Sequence, residues 1–287
     1  MGRIIDGILY ERIRRPGVFK VSTKTCGPIM ERTVSPAYCY EDMGPAPAFM
    51  LIPADRELSP ELDAEYIAEL KEQARRRHAN RAKMACKWFI IHCGFNELLT
   101  LTYRENQTDE ALAKKHHKEW VRRMRRALGG RFDYCTGFEP QERGAWHMHV
   151  ACHRLPKHVE YQGVKIEAWK LGTVIWRSIV GDDNGLCFVG GKASKWGKKR
   201  RKNMGLYKMA SYVSKYITKH YAMLPDGVNR YSHSEGKPKV DRQVTYLAAD
   251  YIGDLITACF QVPGGSVIVS HRFAPLSEFY ILATEAP

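Results

Sequence analysis

Patterns typical of α-helices alternate with patterns typical of antiparallel hairpins along the middle of the chain. The strand patterns alternate between two kinds of side chain, as over 98–103, or are joined by a short turn, as over 132–139 and 146–152. Apolar spacing, caps and stop residues predict helices over residues 59–78, 108–128, 166–179 and 206–220, and one more strand over 186–189. Helices and hairpins interleaved in this way indicate an α+β fold with a largely antiparallel sheet.

The beginning of the chain is rich in proline: seven of the fourteen prolines lie within residues 1–60. Because proline cannot donate a ladder hydrogen bond, we expect loops and short strands over residues 1–58. We therefore predict an N-terminal extension over 1–58, a central domain with a leading helix over 59–225, and a C-terminal extension over 226–287 packed on that domain.

Positive charge is concentrated in one segment. The 287 residues contain 45 Lys and Arg against 31 Asp and Glu, a formal net charge of +14, which favours a nucleic-acid partner. No acidic residue lies between Asn184 and Pro225. A solvated tail is the alternative, but Trp196 could stack on an unpaired base, so we favour DNA binding here. The predicted DNA-binding residues are Lys192, Lys195, Trp196, Lys198, Lys199, Arg200, Arg201, Lys202 and Lys208, with Lys114, Lys115, Arg122, Arg123, Arg125 and Arg126 as a weaker second patch.

Several classes of protein are disfavoured. The N-terminus lacks the apolar core of a signal peptide, and no stretch approaches the roughly 18 apolar residues of a membrane span, so we expect a cytoplasmic protein without membrane partners. The eight cysteines include no CxxC pair, which indicates reduced thiols rather than a zinc cluster. Segment 190–193 resembles the end of a P-loop, but Leu186 and Ala193 replace its first glycine and its Ser/Thr, so we expect no nucleotide cofactor.

A metal site is one interpretation of two histidines in the predicted hairpin. His147 and His149 are two residues apart on one strand, so both rings project from one face. Glu139 lies on the partner strand, and its carboxylate can reach the same face. Two nitrogen ligands, one oxygen ligand and open positions suit Mn²⁺ or Mg²⁺ acting on a phosphate oxygen. Glu142 is a competing ligand in the turn, and the alternative is a pair of histidines on a wet sheet face.

The last predicted helix contains a repeated unit of Tyr, aliphatic residue, Ser/Thr and Lys. Residues four apart lie one above the other on a helix, so Tyr212 and Tyr216 form one column and Lys215 and Lys219 a neighbouring one. A phenol with a pKa near 10 is a poor nucleophile at neutral pH, and nearby cations favour phenolate. An amphipathic helix with ordinary surface tyrosines is the alternative.

Taken in order, the strand 98–103, Glu139 with His147 and His149, and the tyrosine segment 212–219 resemble the HUH endonuclease superfamily. The resemblance covers about residues 85–225 and is closest to the rolling-circle replication initiators of small phages and plasmids. It implies a central five-stranded, mainly antiparallel sheet of HUH/RRM-like type, which carries the histidines and is flanked by helices.

The resemblance also implies a reaction. A tyrosine attacks a phosphodiester in single-stranded origin DNA, leaving a 5′-phosphotyrosine and a 3′-hydroxyl, and a later reverse transfer rejoins strands. By this resemblance His147, His149 and Glu139 hold the metal, Tyr212 and Tyr216 are nucleophiles, and Lys215 and Lys219 stabilise negative charge. The implied partners are the replication origin and host helicase and polymerase, in a bacterial cytoplasm.

Two other interpretations stay open from the sequence. Relaxases and single-tyrosine transposases use the same chemistry, but relaxases typically carry the tyrosine before the histidine motif, and the transposases are usually shorter. A non-catalytic single-stranded DNA-binding protein would use the basic segment and leave the histidines structural. Whether one tyrosine or both would act also stays open.

Overall fold

The computed structural model describes residues 3–46, 60–189, 204–219, 231–259 and 264–287. The chain divides into two compact units: residues 1–70 with 240–287, and residues 71–239. Each unit has an antiparallel sheet covered by helices, which confirms the α+β class. No helix in these described ranges is long and apolar enough to span a bilayer.

The first unit is built on a six-stranded sheet. Its strands are β1 (Arg3–Ile5), β2 (Ile8–Cys26), β3 (Ile29–Pro45), β11 (Asp241–Ala248), β12 (Val267–Ala274) and β13 (Phe279–Glu285). They run in the order β1-β2-β3-β13-β12, and β11 pairs with β2. Helix α5 (Ile252–Cys259) covers one face, where the core consists of Phe19, Val34, Ile252, Leu255, Tyr280 and Leu282.

This unit differs from the sequence prediction in two respects. Within the described residues, β2 and β3 have 19 and 17 residues, where we expected loops and short strands. The prolines are tolerated because the ladder is irregular there: the register shifts between the pairs Arg14–Tyr38 and Phe19–Pro36, and Pro16 lies in the extra residues. The two expected extensions also share one sheet, since β13 pairs with β3 and β11 with β2.

The second unit contains a five-stranded antiparallel sheet, as expected. Its strands run in the order β10 (Tyr231–His233), β5 (Tyr134–Pro140), β6 (Trp146–Cys152), β4 (Glu97–Tyr103) and β9 (Gly185–Val189). A small hairpin of β7 (His158–Tyr161) and β8 (Val164–Glu167) lies apart from this sheet. The helices are α1 (Pro60–Cys93), which begins in the first unit, α2 (Glu110–Ala127), α3 (Ala168–Val180) and α4 (Leu206–Lys219).

The two faces of the central strand β6 have different roles. Met148 and Val150 point into the main core, together with Trp120 from α2 and Trp176 from α3. His149 alternates with them and therefore lies on the opposite face, where α4 packs on β5 and β6. The fold thus uses one face of the sheet for its main core, and α4 and the end of α1 pack on the histidine face.

Helix α1 is longer than predicted. We expected it to end in the basic run 75–78, but it continues to Cys93. No glycine or proline lies between His78 and Cys93, and the first stop residue is Gly94 at φ 64°. The apolar segment 87–91 is consequently the buried end of this helix.

Candidate active site

The hairpin of β5 and β6 brings the three predicted metal ligands together. Glu139 pairs directly with His147, and Gly137 pairs with His149. Side chains opposite each other in an antiparallel pair share a face, so Glu139, His147 and His149 lie on the same side of the sheet. His149 Nε2 lies 2.8 Å from Glu139 Oε2, and both side chains are buried.

His147 has one ring nitrogen bonded and the other without a partner. Nδ1 lies 3.1 Å from Nε2 of Gln141, whose Oε1 accepts a hydrogen bond from Arg143 Nε at 3.2 Å. With Oε1 engaged, the Gln141 amide donates to Nδ1, and the proton of the neutral ring is on Nε2. Among the described residues, this buried Nε2 has no hydrogen-bond partner. Burial, and then the neighbouring His149, lower the pKa of His147 to about 4, so the ring is neutral near pH 7.

The residues fit a divalent cation in donor type. A neutral imidazole is the form that binds metals, and His147 Nε2, which has no hydrogen-bond partner among the described residues, could serve as a metal ligand. Binding there requires the ring proton to move to Nδ1 and Gln141 to turn over. Within the described ranges, no group of three or more His, Cys, Asp or Glu is arranged as a complete metal site, and Glu139 is bonded to His149. The metal ligands therefore stay a prediction.

Helix α4 places both tyrosines against His149. The Tyr216 ring stacks on the imidazole, with centroids 4.3 Å apart and planes 15° apart. Tyr212 meets the same imidazole edge-on at 5.4 Å, and the two phenol rings are 5.2 Å apart. The helix is held there by its buried residues Met209, Ala210, Val213 and Ile217.

A glycine permits this close approach of helix and sheet. A Cβ on Gly137 of β5 would lie 2.7 Å from the backbone oxygen of Val213 in α4 and 3.3 Å from Val213 Cγ1. Any side chain at this position would push α4 away from the sheet. No sequence pattern marks Gly137, although it lies two residues before Glu139 on the same strand and hence on the same face.

The two tyrosines differ in environment. Tyr216 is buried, whereas Tyr212 is partly exposed. Burial raises the pKa of Tyr216, and so do the hydrogen bond with Tyr212 and the negative charge of Glu139. The Tyr216 phenol is consequently protonated near neutral pH.

Among the predicted cationic residues, Lys215 is placed beside the phenols. Its Nζ lies 4.9 Å from the Tyr212 ring centroid and 4.8 Å from that of Tyr216. Lys219 is the last residue of α4, and its side chain lies outside the described part of the structure. Lys208 is exposed near the start of the same helix. Residues outside the described ranges also include the remaining predicted DNA contacts Lys192, Lys195, Trp196, Lys198, Lys199, Arg200, Arg201 and Lys202.

The second basic patch, on α2, is partly neutralised by its own helix. Glu119 accepts hydrogen bonds from both Arg122 and Arg123, and Lys114 pairs with Glu110 at 2.7 Å. Such i,i+3 and i,i+4 pairs reduce the positive field that a phosphate would meet. The role of this patch in DNA binding stays a prediction.

Comparison with known proteins gave one match. Residues 96–221 match the family described as replication-associated protein ORF2/G2P. No curated protein and no solved structure matched the chain. The matched stretch contains the β5–β6 hairpin and α4, and therefore both histidines and both tyrosines. The match confirms the resemblance to replication initiator proteins.

Proposed function

We propose, from the premise that residues 96–221 belong to the replication-associated protein ORF2/G2P family, that the protein initiates replication by nicking single-stranded DNA with a tyrosine. The observation that carries the proposal is the packing of two phenols on His149, beside Glu139 and His147. An ordinary amphipathic helix would turn its apolar residues to the sheet and its tyrosines to solvent, whereas α4 presents both phenols to the buried histidine.

The proposed reaction is a transesterification. The oxygen of one phenol attacks the phosphorus, the bond from phosphorus to the 3′ oxygen breaks, and a 5′-phosphotyrosine forms. The phenol proton leaves to solvent, and the departing 3′ oxygen takes up a proton to become a hydroxyl that can prime synthesis. In the reverse transfer a 3′-hydroxyl attacks the phosphotyrosine and restores the phosphodiester.

The side chains supply complementary parts of this chemistry. Packing on His149 fixes the direction of the phenols, which reduces the entropy cost of reaching an attacking geometry. The Lys215 ammonium, close to both rings, favours phenolate and attracts the scissile phosphate. His147, His149 and Glu139 would hold Mn²⁺ or Mg²⁺, which would polarise a phosphate oxygen when bound.

The proposed partners are the single-stranded replication origin and, at a later stage, host helicase and polymerase. The 3′-hydroxyl released by nicking is what a polymerase would extend. The host helicase is proposed from the resemblance to rolling-circle replication initiators.

The test is a covalent adduct. The protein is incubated with labelled single-stranded DNA from its own replicon and Mn²⁺ or Mg²⁺, and a denaturing gel is examined for protein-linked DNA. We expect an adduct that is lost on chelation and in the Tyr212→Phe/Tyr216→Phe double variant. The single variants report which phenol acts, and Tyr251→Phe, an exposed tyrosine of the first unit, is the control.

Tight binding without any adduct across the whole replicon would refute nicking and favour a DNA-binding protein. An adduct that persists in the double variant would refute the assignment of the nucleophiles. Relaxases and single-tyrosine transposases form the same kind of adduct.

A further inference from the structure

We propose that the first unit carries a separate binding groove for single-stranded DNA, in which bases stack on the tyrosines of its sheet. The inference goes beyond the proposed function, because the groove is built wholly from residues of the first unit and takes no part in the nicking chemistry. Its choice of DNA as the nucleic acid rests on the family of residues 96–221.

The groove lies on the sheet face opposite helix α5. Tyr246 of β11 pairs with Lys20 of β2, which pairs with Ser35 of β3, so these three side chains form a row across the sheet. Phe279, at the start of β13, also lines the groove. The neighbouring pair Val21–Val34 alternates with this row and faces the α5 core.

Tyr38 and Tyr40 of β3 line the same cavity, beyond the register shift that separates the pairs Phe19–Pro36 and Arg14–Tyr38. Residues two apart on a strand share a face and lie about 7 Å apart, so each ring can receive one base of an extended strand. Three large aromatic side chains are exposed here: Tyr38 by 43%, Tyr40 by 45% and Tyr246 by 56%. They help to line an open cavity of about 470 Å³, which is in the size range of small-molecule sites.

The charge of the groove matches a phosphate backbone. Arg12 lies over the Tyr38 ring, with its guanidinium carbon 3.8 Å from the ring centroid, and Lys20 lies in the row beside Tyr246. None of the described residues that line the groove is acidic, and the nearby Glu278 is paired with Arg14. Aromatic rings between cations and no carboxylate form the combination that binds single strands with little sequence preference.

A protein partner is the competing occupant, and the observations favour DNA. Tyrosine and arginine are common in protein interfaces too, but lysine and serine are depleted there, whereas Lys20 and Ser35 lie side by side in this groove. An acidic peptide would use the cations but would leave the flat faces of three tyrosines without a matching surface. Single-stranded DNA uses both features at once.

The first experiment locates the contact. The Tyr212→Phe/Tyr216→Phe variant is mixed in chelator with an oligodeoxythymidylate of about 15 nucleotides that carries 5-iodouracil, irradiated, and digested for mass spectrometry. We expect crosslinks to Tyr38, Tyr40 or Tyr246. Crosslinks confined to other peptides, or to the control Tyr251, would overturn the proposal.

The second experiment measures the contribution of the rings. In the same background and buffer, we expect Tyr38→Ala/Tyr246→Ala to bind the labelled oligonucleotide about tenfold more weakly or worse, and Tyr251→Ala to bind normally. Tyr38→Phe/Tyr246→Phe keeps the stacking faces and should retain the affinity. Equal affinity for the double alanine variant, or an equal loss in the phenylalanine variant, would overturn base stacking.

Additional controls distinguish the possible ligands of the groove from one another and distinguish this proposal from the proposed nicking function. Single-stranded RNA of the same length and duplex DNA test the nucleic-acid class, and preference for the duplex would overturn the groove as a single-strand site. A groove variant with altered sedimentation and unchanged DNA binding would assign the face to protein contacts instead. Because nicking is disabled in the binding assays, a missing adduct refutes the proposed function without affecting this result.

Discussion

Gly137→Ala adds a single methyl group, and the structure predicts that this group displaces helix α4. The added Cβ would lie 2.7 Å from the Val213 backbone oxygen, where ordinary contacts begin at about 3.4 Å. The contacted atom belongs to the helix backbone, so a side-chain rotation cannot remove the clash. Helix α4 must move outward by several tenths of an ångström, carrying Tyr212 and Tyr216 away from His149.

Two magnitudes follow. Overpacking of this kind costs about 1–3 kcal/mol in the free energy of unfolding. Displacement of a nucleophile by up to about 1 Å can reduce a rate by roughly a hundredfold, so we expect adduct formation to slow about 10- to 100-fold. The stability loss alone does not explain such a rate, because the folded state still dominates in a protein of ordinary stability.

The assay compares Gly137→Ala with Gly205→Ala. A Cβ at Gly205 meets no atom within 4 Å, and this residue also lies next to α4. Urea unfolding gives the free energy of each variant, and the rate of adduct formation on origin DNA gives the activity. If Gly137→Ala matched Gly205→Ala in both measurements, the argument that helix α4 must approach β5 closely would be wrong.

Three further predictions follow from the charges of the second unit. Burial lowers the pKa of His117 from 6.5 to about 3, so the unfolded chain binds more protons than the folded protein between these pH values. The free energy of unfolding therefore falls as the pH is lowered through this range, by up to ~1.4 kcal/mol per pH unit. Urea unfolding at several pH values should show a weaker dependence of this free energy on pH for His117→Gln than for the exposed control His92→Gln. Lys215→Gln should slow adduct formation about two- to fivefold and Lys215→Arg should not, and equal rates for both would refute a role of this charge. Glu139→Gln should raise the Mn²⁺ concentration needed for half-maximal adduct formation, and an unchanged requirement would remove Glu139 from the predicted ligands.

The sequence predicts the β5–β6 hairpin and helix α4 of the second unit well, because each element is determined by a pattern of residues that are close together in the sequence. Strand periodicity and a short turn determine which residues face each other, and they suffice to place Glu139 beside His147. Helical spacing of four suffices to put Tyr212 and Tyr216 in one column. The meeting of these two elements came from the family resemblance, since the contact between α4 and the hairpin joins residues distant in sequence.

The errors have long-range causes. The strands β2 and β3 are long despite their prolines because β11 and β13, from the other end of the chain, complete the sheet. The end of α1 was misplaced because a basic run resembles a helix end, although the next glycine comes only at Gly94. Gly137 was missed because its role depends on Val213, which lies in another element.

The geometry at His149 explains why the proposed reaction needs positive charge from outside the pair of tyrosines. This one ring bonds Glu139 at 2.8 Å and stacks on Tyr216 at 4.3 Å, so the carboxylate and the phenol are neighbours of the same imidazole. Burial raises the pKa of the Tyr216 phenol most, and the hydrogen bond with Tyr212 and then the carboxylate raise it further. All three oppose the phenolate that nucleophilic attack requires. A divalent cation held by Glu139 would neutralise the carboxylate's share of this opposition.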